Sequence, residues 1–122
     1  MPGADFQHLR LSMVKDVAVV EIRTRDLLGP MLAQELGTEL ALVAAQEWAG
    51  RLLVNFHRVT YVGSTGFAAL FKLLSRARAE GREVKLCGMG NGVRLGAEIV
   101  GLQKLVEIHD DEAAALRTFA RD

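Results

Sequence analysis

The fold is decided by residues 51–87, which read RLLVNFHRVTYVGSTGFAALFKLLSRARAEGREVKLC. The opening residues, Arg51–Phe56, form an apolar run that is too short for a helix and is bounded by turn residues, so they predict a central strand. From Ser64 to about Glu80, apolar residues recur every three to four positions, which predicts a helix that ends at Gly81. Glu83–Cys87 predicts the next strand. This order predicts a right-handed βαβ unit with parallel strands.

The residues before this unit predict a hairpin and a first helix. Phe6–Met13 and Val17–Ile22 predict two strands joined by a tight turn. Gly29-Pro30 marks a helix start, because proline at the first helical position gives up no helical hydrogen bond, and Gly50 is a plausible end. The stripes predicted to face the core contain Leu32, Leu36, Leu40, Val43 and the adjacent Leu42 in the first helix, and Phe67, Leu70, Phe71, Leu74 and Ala77 in the second.

The residues after the unit predict a third helix over Val93–Val100, a last strand over Leu105–Ile108, and a final helix. Asp110-Asp111 is predicted to cap that final helix, which runs to about Ala120. The whole pattern predicts an α/β fold with a mixed, mostly parallel sheet of four to five strands and about four helices. The hairpin supplies its antiparallel edge. No repeat or linker divides the chain, so residues 1–122 are expected to form a single domain.

Composition narrows the range of functions. Half of the 122 residues are apolar, and Lys+Arg and Asp+Glu each number 15, so no general attraction to nucleic acid or to an anionic membrane is expected. The single cysteine, Cys87, is predicted to be buried and can form no intramolecular disulfide. Neither a signal peptide nor a stretch that could span a membrane is recognisable. A cytoplasmic location is therefore expected.

The segment Val62-Gly63-Ser64-Thr65-Gly66-Phe67 opens the second helix. Serine and threonine are preferred helix N-caps, so capping by Ser64 or Thr65 is the simplest explanation of their presence. The same helix start can also stabilise a phosphate, because its free amides and the helix dipole favour negative charge. The simplest interpretation of Gly63 is a turn residue that needs a positive φ.

From Leu53 onward the chain resembles the STAS family, named for sulfate transporters and anti-sigma factor antagonists. The signature of that family is an apolar strand, a turn, and then Asp-Ser-Ser-Gly opening a helix, which corresponds here to Val62–Phe67. Leu105-Val106-Glu107-Ile108 and Asp111-Glu112-Ala113 agree with its later elements. Two positions depart from the pattern, since Asn55 and Gly63 stand where the family commonly has aspartate. The chain is thus identified as a divergent member of the STAS family, with a single STAS-like domain.

The resemblance implies a protein-interaction module that binds a kinase-type anti-sigma partner and is switched by phosphorylation at Ser64, with Thr65 as the alternative site. It implies an anti-sigma factor that is also a serine kinase as the partner, or else other STAS-type proteins. The oligomeric state is left open. The residues implied to contact the partner are Asp26, Gly63, Ser64, Thr65, Gly66, Phe67, Gly88, Met89 and Asn91.

Two other functions compete with a switchable module. Without phosphorylation, the same fold would serve as a constitutive scaffold or a subunit of a sensor complex, and the two missing aspartates favour this alternative. The loop Gly88–Gly92 follows a strand and opens a helix, which suggests a nucleotide or small-ligand site, but its glycine spacing matches no phosphate-binding motif.

Catalysis is not expected. Asp26, His57 and Ser64 are the residue types of a hydrolytic triad. A nucleophile elbow, however, requires the pattern Gly-x-Ser-x-Gly, and its first glycine is replaced here by Val62. The three histidines are too scattered for a metal site and are expected at the surface, so no metal or cofactor is predicted. The basic residues Arg76, Arg78 and Arg82 are interrupted by Glu80 and Glu83 and lack aromatic neighbours, which favours a solvated helix face over a nucleic-acid site.

Overall fold

The structure of the protein is a computed structural model, in which residues 6–119 are described. The predicted end of the last helix at Ala120 lies outside the described residues, as do both ends of the predicted domain 1–122. The strands are β1 Leu9–Val14, β2 Val17–Ile22, β3 Asp26–Leu27, β4 Arg51–Asn55, β5 Tyr61–Val62, β6 Glu83–Cys87 and β7 Ile108–His109. The helices are α1 Pro30–Ala44, α2 Ser64–Ala79, α3 Asn91–Ile99 and α4 Glu112–Phe119.

Five of these strands form one sheet in the order β1-β2-β4-β6-β7. β1 and β2 pair as an antiparallel hairpin, and the pairs β2–β4, β4–β6 and β6–β7 are parallel. The predicted α/β class and mixed, mostly parallel sheet are therefore confirmed. The structure also contains a separate parallel pair, β3 with β5, in which Asp26 lies opposite Tyr61 and Leu27 opposite Val62. Strands of two residues carry too little periodicity to be predicted.

Alternate side chains of the central strands enter two apolar clusters. Leu52 and Val54 belong to the main cluster, which also contains buried residues of α1, α2 and α3. Leu53, between them, belongs to a smaller cluster with Ala115 and Phe119 of α4. This alternation, which follows from the period of two in a strand, places α1, α2 and α3 on one face of the sheet and α4 on the other. The predicted core residues Leu36, Leu40, Leu70 and Leu74 are all buried, whereas Leu42 is exposed.

The first helix ends earlier than predicted. α1 ends at Ala44, and Glu47–Ala49 forms a short 3₁₀ helix, because Gln46 adopts an extended conformation between the two. This break allows Ala49 to be fully buried. Gly50, with a φ of −60°, follows the 3₁₀ helix, so the prediction that it caps the first helix is wrong. At the end of α2, in contrast, Gly81 has a φ of +70°, as a terminating glycine should.

The last strand is displaced from its predicted position. Leu102–Lys104 forms a 3₁₀ helix after Gly101, whose φ of +81° is left-handed, and the strand that follows is Ile108–His109 rather than Leu105–Ile108. Burial of Leu102 accounts for the shift, because it draws this segment into the core. α3 begins two residues before the predicted Val93. The predicted cap of the final helix is present, since Asp111 Oδ1 accepts a hydrogen bond of 2.8 Å from the Ala114 amide.

His8 and Lys85 are buried although their side chains are polar. His8 is only 7% exposed rather than lying at the surface, and its ring contacts Thr24 Oγ1 and Glu35 Oε1. Lys85 is 3% exposed beneath α4, where its ammonium donates to Thr118 Oγ1 at 2.7 Å and lies 4.8 Å from the Phe119 ring centroid. Cys87 is buried as predicted. No helix within residues 6–119 is long and apolar enough to span a membrane.

Candidate functional site

The parallel pair β3–β5 positions the start of α2. The Gly63 amide donates a hydrogen bond of 2.8 Å to the carbonyl oxygen of Leu27, directly after the last pair of this small sheet. Gly63 is the N-cap residue of α2, with φ −83° and ψ 176°, and no side chain caps the helix. The capping prediction for Ser64 and Thr65 is therefore wrong, and so is a positive φ at Gly63. Ser64 is the first helical residue.

Gly66 allows the helix to start close to the small sheet. A Cβ atom at this position would lie 2.9 Å from Val62 Cγ1 and 3.2 Å from the Leu27 carbonyl oxygen, which is closer than side chains tolerate. Its φ is not in the left-handed region, so space, not backbone conformation, requires glycine here. Residues 62–67, called the serine turn below, thus lie close against β3.

The ring of Phe67 lies beneath this surface. Phe67 is only 6% exposed, and a Cβ atom on Gly96 of α3 would lie 3.2 Å from its ring. Phe67 therefore joins α2 to α3 and has little surface left for direct contact with a partner. Gly66 is also buried, so among the signature residues Ser64 is exposed and Thr65 half-buried.

Exposed apolar side chains lie beside Gly63, the residue that precedes Ser64. Leu28 and Tyr61 are 52% and 51% exposed, and both lie within 4 Å of where a Gly63 Cβ would be. Leu95 and Ile99, one turn apart on α3, are exposed as well. This apolar surface was not predicted from the sequence. The available signal was Leu28 directly after β3 and Tyr61 within β5, which becomes informative only when those strands are known to pair.

The glycine-rich loop 88–92 follows β6 and lies beside the end of the neighbouring strand β4. Gly88 has a φ of +79°, and a Cβ atom there would meet Asn55 Oδ1 at 2.5 Å. Met89 is half-buried against the main apolar cluster, and Asn91, exposed, begins α3. The loop leads into α3, which packs against Phe67 at Gly96.

Asn55 occupies a buried position next to this loop. It is 6% exposed, its Nδ2 donates to Glu112 Oε1 at 3.1 Å, and its Oδ1 accepts from the His57 amide at 2.9 Å. An aspartate here would keep the second bond but lose the donor facing Glu112. Burial raises the pKa of the neighbouring Cys87 thiol to about 12, with further contributions from the Glu112 and Asp111 carboxylates. This end of the sheet is therefore already rich in negative charge.

Asp26 and His57, two residues of the hypothetical triad, are engaged with other side chains. Asp26 is exposed in β3 and its Oδ1 accepts from Thr60 Oγ1 at 2.9 Å. His57 Nε2 lies 3.2 Å from Glu21 Oε2, and its other ring nitrogen faces Asn55. Asp26 shares the small sheet with the serine turn, whereas His57 is held at the end of β4. Across residues 6–119, no group of three or more metal-ligating side chains converges.

Comparisons with known proteins agree with this architecture. The family model described as STAS domain matches residues 31–115. Among solved structures, an anti-sigma-factor antagonist (STAS) domain protein from Planctomyces limnophilus is 17% identical with a TM-score of 0.77, covering 92% of this chain and 97% of that one. The Bacillus cell fate determinant SpoIIAA, in its phosphorylated form, is 16% identical with a TM-score of 0.65, covering 90% and 98%.

A transporter domain has the same fold. The STAS domain of a SulP transporter from Vibrio cholerae is 20% identical with a TM-score of 0.66, covering 90% of this chain and 89% of that one. At these identities the similarity establishes the fold alone. No curated protein sequence gives a significant match.

Proposed function

Because the chain belongs to the STAS domain family, we propose that it is a regulatory protein-interaction module of the anti-sigma factor antagonist type. Its partner is an anti-sigma factor with serine kinase activity, and phosphorylation of Ser64 ends the association. The observation that carries this proposal is the placement of Ser64, which is exposed at the first residue of α2 beside the exposed apolar side chains of Leu28 and Tyr61. We also propose that residues 1–122 form one domain without catalytic activity.

The fold should tolerate a phosphate on Ser64. The Ser64 hydroxyl caps nothing and its side chain faces solvent, so modification breaks no hydrogen bond that holds α2 in place. The first amides of a helix have no acceptor within the helix, and together with the helix dipole they favour a nearby anion. A phosphate would add a charge of roughly −1.5 to −2 at this point.

The same phosphate should disrupt docking of a partner. Contact with Leu28 and Tyr61 would remove their apolar surface from water, which favours association. A partner seated there would also have to desolvate the phosphate, which is costly unless the partner supplies a cation. Modification therefore changes the surface while the fold stays the same. Asp26 is proposed to contact the same partner, because its strand β3 pairs with β5, the strand that leads to Ser64.

Affinity capture from the native cell, followed by mass spectrometry, should recover a kinase of ATPase fold. With that kinase, phosphate incorporation and partner affinity are compared for wild type, Gly63→Asp, Ser64→Ala, Ser64→Asp and Thr65→Ala. Ser75→Asp, which adds the same charge at an exposed serine farther along α2, is the matched control. Ser64→Asp should weaken binding while Ser75→Asp leaves it unchanged.

The outcomes separate the alternatives. Incorporation that persists in Ser64→Ala and is lost in Thr65→Ala would move the site to Thr65. If neither wild type nor Gly63→Asp is modified, and Ser64→Asp binds as tightly as wild type, the switch is refuted and a constitutive scaffold takes its place. The specific support for that second function is the presence of Gly63 and Asn55 where the family commonly has aspartate.

A further inference from the structure

A groove of about 660 Å³ runs between α1 and α2 on the outer face of the domain. The two helices contribute to it with the same period, since residues at i, i+3, i+4, i+7, i+8 and i+11 of each helix line it, starting from Pro30 in α1 and from Thr65 in α2. The pairing of β3 with β5 explains this match, because both helices begin directly after these parallel strands. The lining therefore extends about 16 Å along each helix, or three helical turns.

The middle of the groove is made of small residues. A Cβ atom on Gly37 would lie 3.9 Å from the Cβ of Ala69, so the backbones of α1 and α2 approach closely at its floor. Ala33 and Ala41 on α1 and Ala68 on α2 continue the lining. Because these lining side chains are small, the groove leaves room for large side chains of a bound molecule. The groove is also open to solvent, so the side of a bound molecule that faces away from the groove stays in contact with water.

One edge of the groove is cationic. Lys72 and Arg76 lie one turn apart on α2, and the lining contains no acidic residue although the chain as a whole is neutral. Within the described part of the chain, no ion pair involves Lys72. Arg76 has only an exposed i,i+4 contact of 3.6 Å with Glu80, which is worth little and is easily exchanged. The two side chains are thus available to carboxylates of a ligand.

We propose that this groove binds an amphipathic helix of a partner protein. Large apolar side chains at i, i+3 or i+4, and i+7 of that helix fill the groove, and its Asp or Glu residues face Lys72 and Arg76. A helix suits the open groove because its backbone groups are satisfied internally and its polar side can stay in water. An acyl chain would remain half exposed there, whereas small-molecule sites normally bury most of their ligand. This second surface does not depend on phosphorylation of Ser64.

The test uses the full chain and a synthetic helical peptide of ~18 residues, long enough to hold a helix, with leucines at the groove-facing positions and glutamates along one edge. A matched peptide carries lysines instead of the glutamates, and a third has a scrambled order. Affinity is measured by fluorescence anisotropy, and the site is mapped by amide NMR shifts. The variant Lys72→Glu/Arg76→Glu is compared with Arg78→Glu/Lys104→Glu, which changes the charge equally at exposed positions outside the groove.

Binding of the glutamate peptide should shift amide signals of α1 and α2 and should weaken at least about tenfold in Lys72→Glu/Arg76→Glu but less than about threefold in the control. The lysine peptide should show the reverse preference. Absence of saturable binding to wild type, equal loss in both variants, or shifts confined to α3 and the serine turn would overturn the proposal. Laurate is added separately as a probe for acyl-chain binding. Shifts of the α1 and α2 amide signals with laurate but not with the peptide would also overturn the proposal. Ser64→Asp should leave this peptide's affinity unchanged, so failure here and failure of the phosphorylation switch are distinguishable.

Discussion

Replacement of Asn55 by aspartate tests how this chain accommodates its departure from the family pattern. Asn55 is buried, and its Nδ2 donates to Glu112 at 3.1 Å. Asn55→Asp keeps the shape of the side chain but removes this donor and places a second carboxyl against Glu112. We expect the variant to be destabilised, and more strongly at neutral pH than in acid.

The magnitude follows from the distance. Two carboxylates about 3 Å apart repel by about 5 kcal/mol at an effective dielectric constant of 20. Protonating the new carboxyl avoids this repulsion at a cost of about 1.4 kcal/mol per pH unit above its ordinary pKa near 4, so the penalty at pH 7 cannot exceed about 4 kcal/mol. Partial exposure of Glu112 reduces it further. We therefore expect a loss of about 2–4 kcal/mol at pH 7 and of about 1 kcal/mol or less at pH 4.

The sign of the pH dependence is fixed by linkage. Repulsion and burial raise the pKa of the introduced carboxyl in the folded state, so the folded variant holds a proton that the unfolded variant has released. The stability of the variant relative to wild type must then fall as pH rises from about 4 through the raised pKa. Urea unfolding of both proteins at pH 4 and pH 7 measures this difference.

A double-mutant cycle with Glu112→Gln identifies the cause. The glutamine amide can donate to the introduced carboxylate, so Asn55→Asp/Glu112→Gln should recover most of the stability lost at pH 7. Asn55→Ala removes the same donor without adding charge and should show no comparable pH dependence. An equal cost at both pH values, or no recovery in the double variant, would refute the role assigned to the Asn55–Glu112 contact.

Three further perturbations address the core and the serine turn. Leu70→Ala should lower the free energy of unfolding by about 2–5 kcal/mol, against about 0.5 or less for Ser75→Ala on the exposed side of α2, and equal effects in urea unfolding would mean that the buried face is assigned wrongly. Gly66→Ala should cost about 1–3 kcal/mol because its Cβ meets Val62, whereas Gly63→Asp has room, and thermal melting that shows the opposite order would contradict this. The Cys87 thiol, whose pKa is raised to about 12, should resist a thiol reagent at pH 8 until denaturant is added, and rapid labelling of the native protein would disprove its burial. The free energy of unfolding should also fall as the pH rises above about 9, because only the unfolded thiol ionises there.

The central architecture was predictable because its signals are local and periodic. Leu52, Leu53 and Val54 are all buried, on alternate faces of the sheet, as a continuous apolar run in a central parallel strand predicts. The buried stripe through Leu70 on α2 follows from the helical spacing of its apolar residues. The ends of elements were less predictable. Burial of Leu102 is decided by a fit to other parts of the chain, and the 3₁₀ helix Leu102–Lys104 that accompanies it is followed by a last strand that begins only at Ile108.

The candidate site was predictable in position but not in detail. The motif located Ser64 at a helix start, which the structure bears out. The burial of Phe67 depends on Gly96, from a different helix, and the exposed surface around Ser64 depends on the pairing of β3 with β5. The groove between α1 and α2 was invisible for the same reason, since its two stripes are ordinary helical patterns until the helices are placed side by side.

The position of α2 between two surfaces gives the identity of the phosphorylated residue a physical consequence. Ser64 and Lys72 are separated by eight residues of helix, or about 12 Å, which exceeds the Debye length of about 8 Å at physiological ionic strength. A phosphate on Ser64 should therefore act on the Leu28 and Tyr61 surface and leave the Lys72 and Arg76 edge of the groove unaffected. Thr65, in contrast, lines the mouth of the groove, so a phosphate there would repel the acidic edge of a helix bound within it. Modification at Ser64 would regulate one partner, whereas modification at Thr65 would act on both.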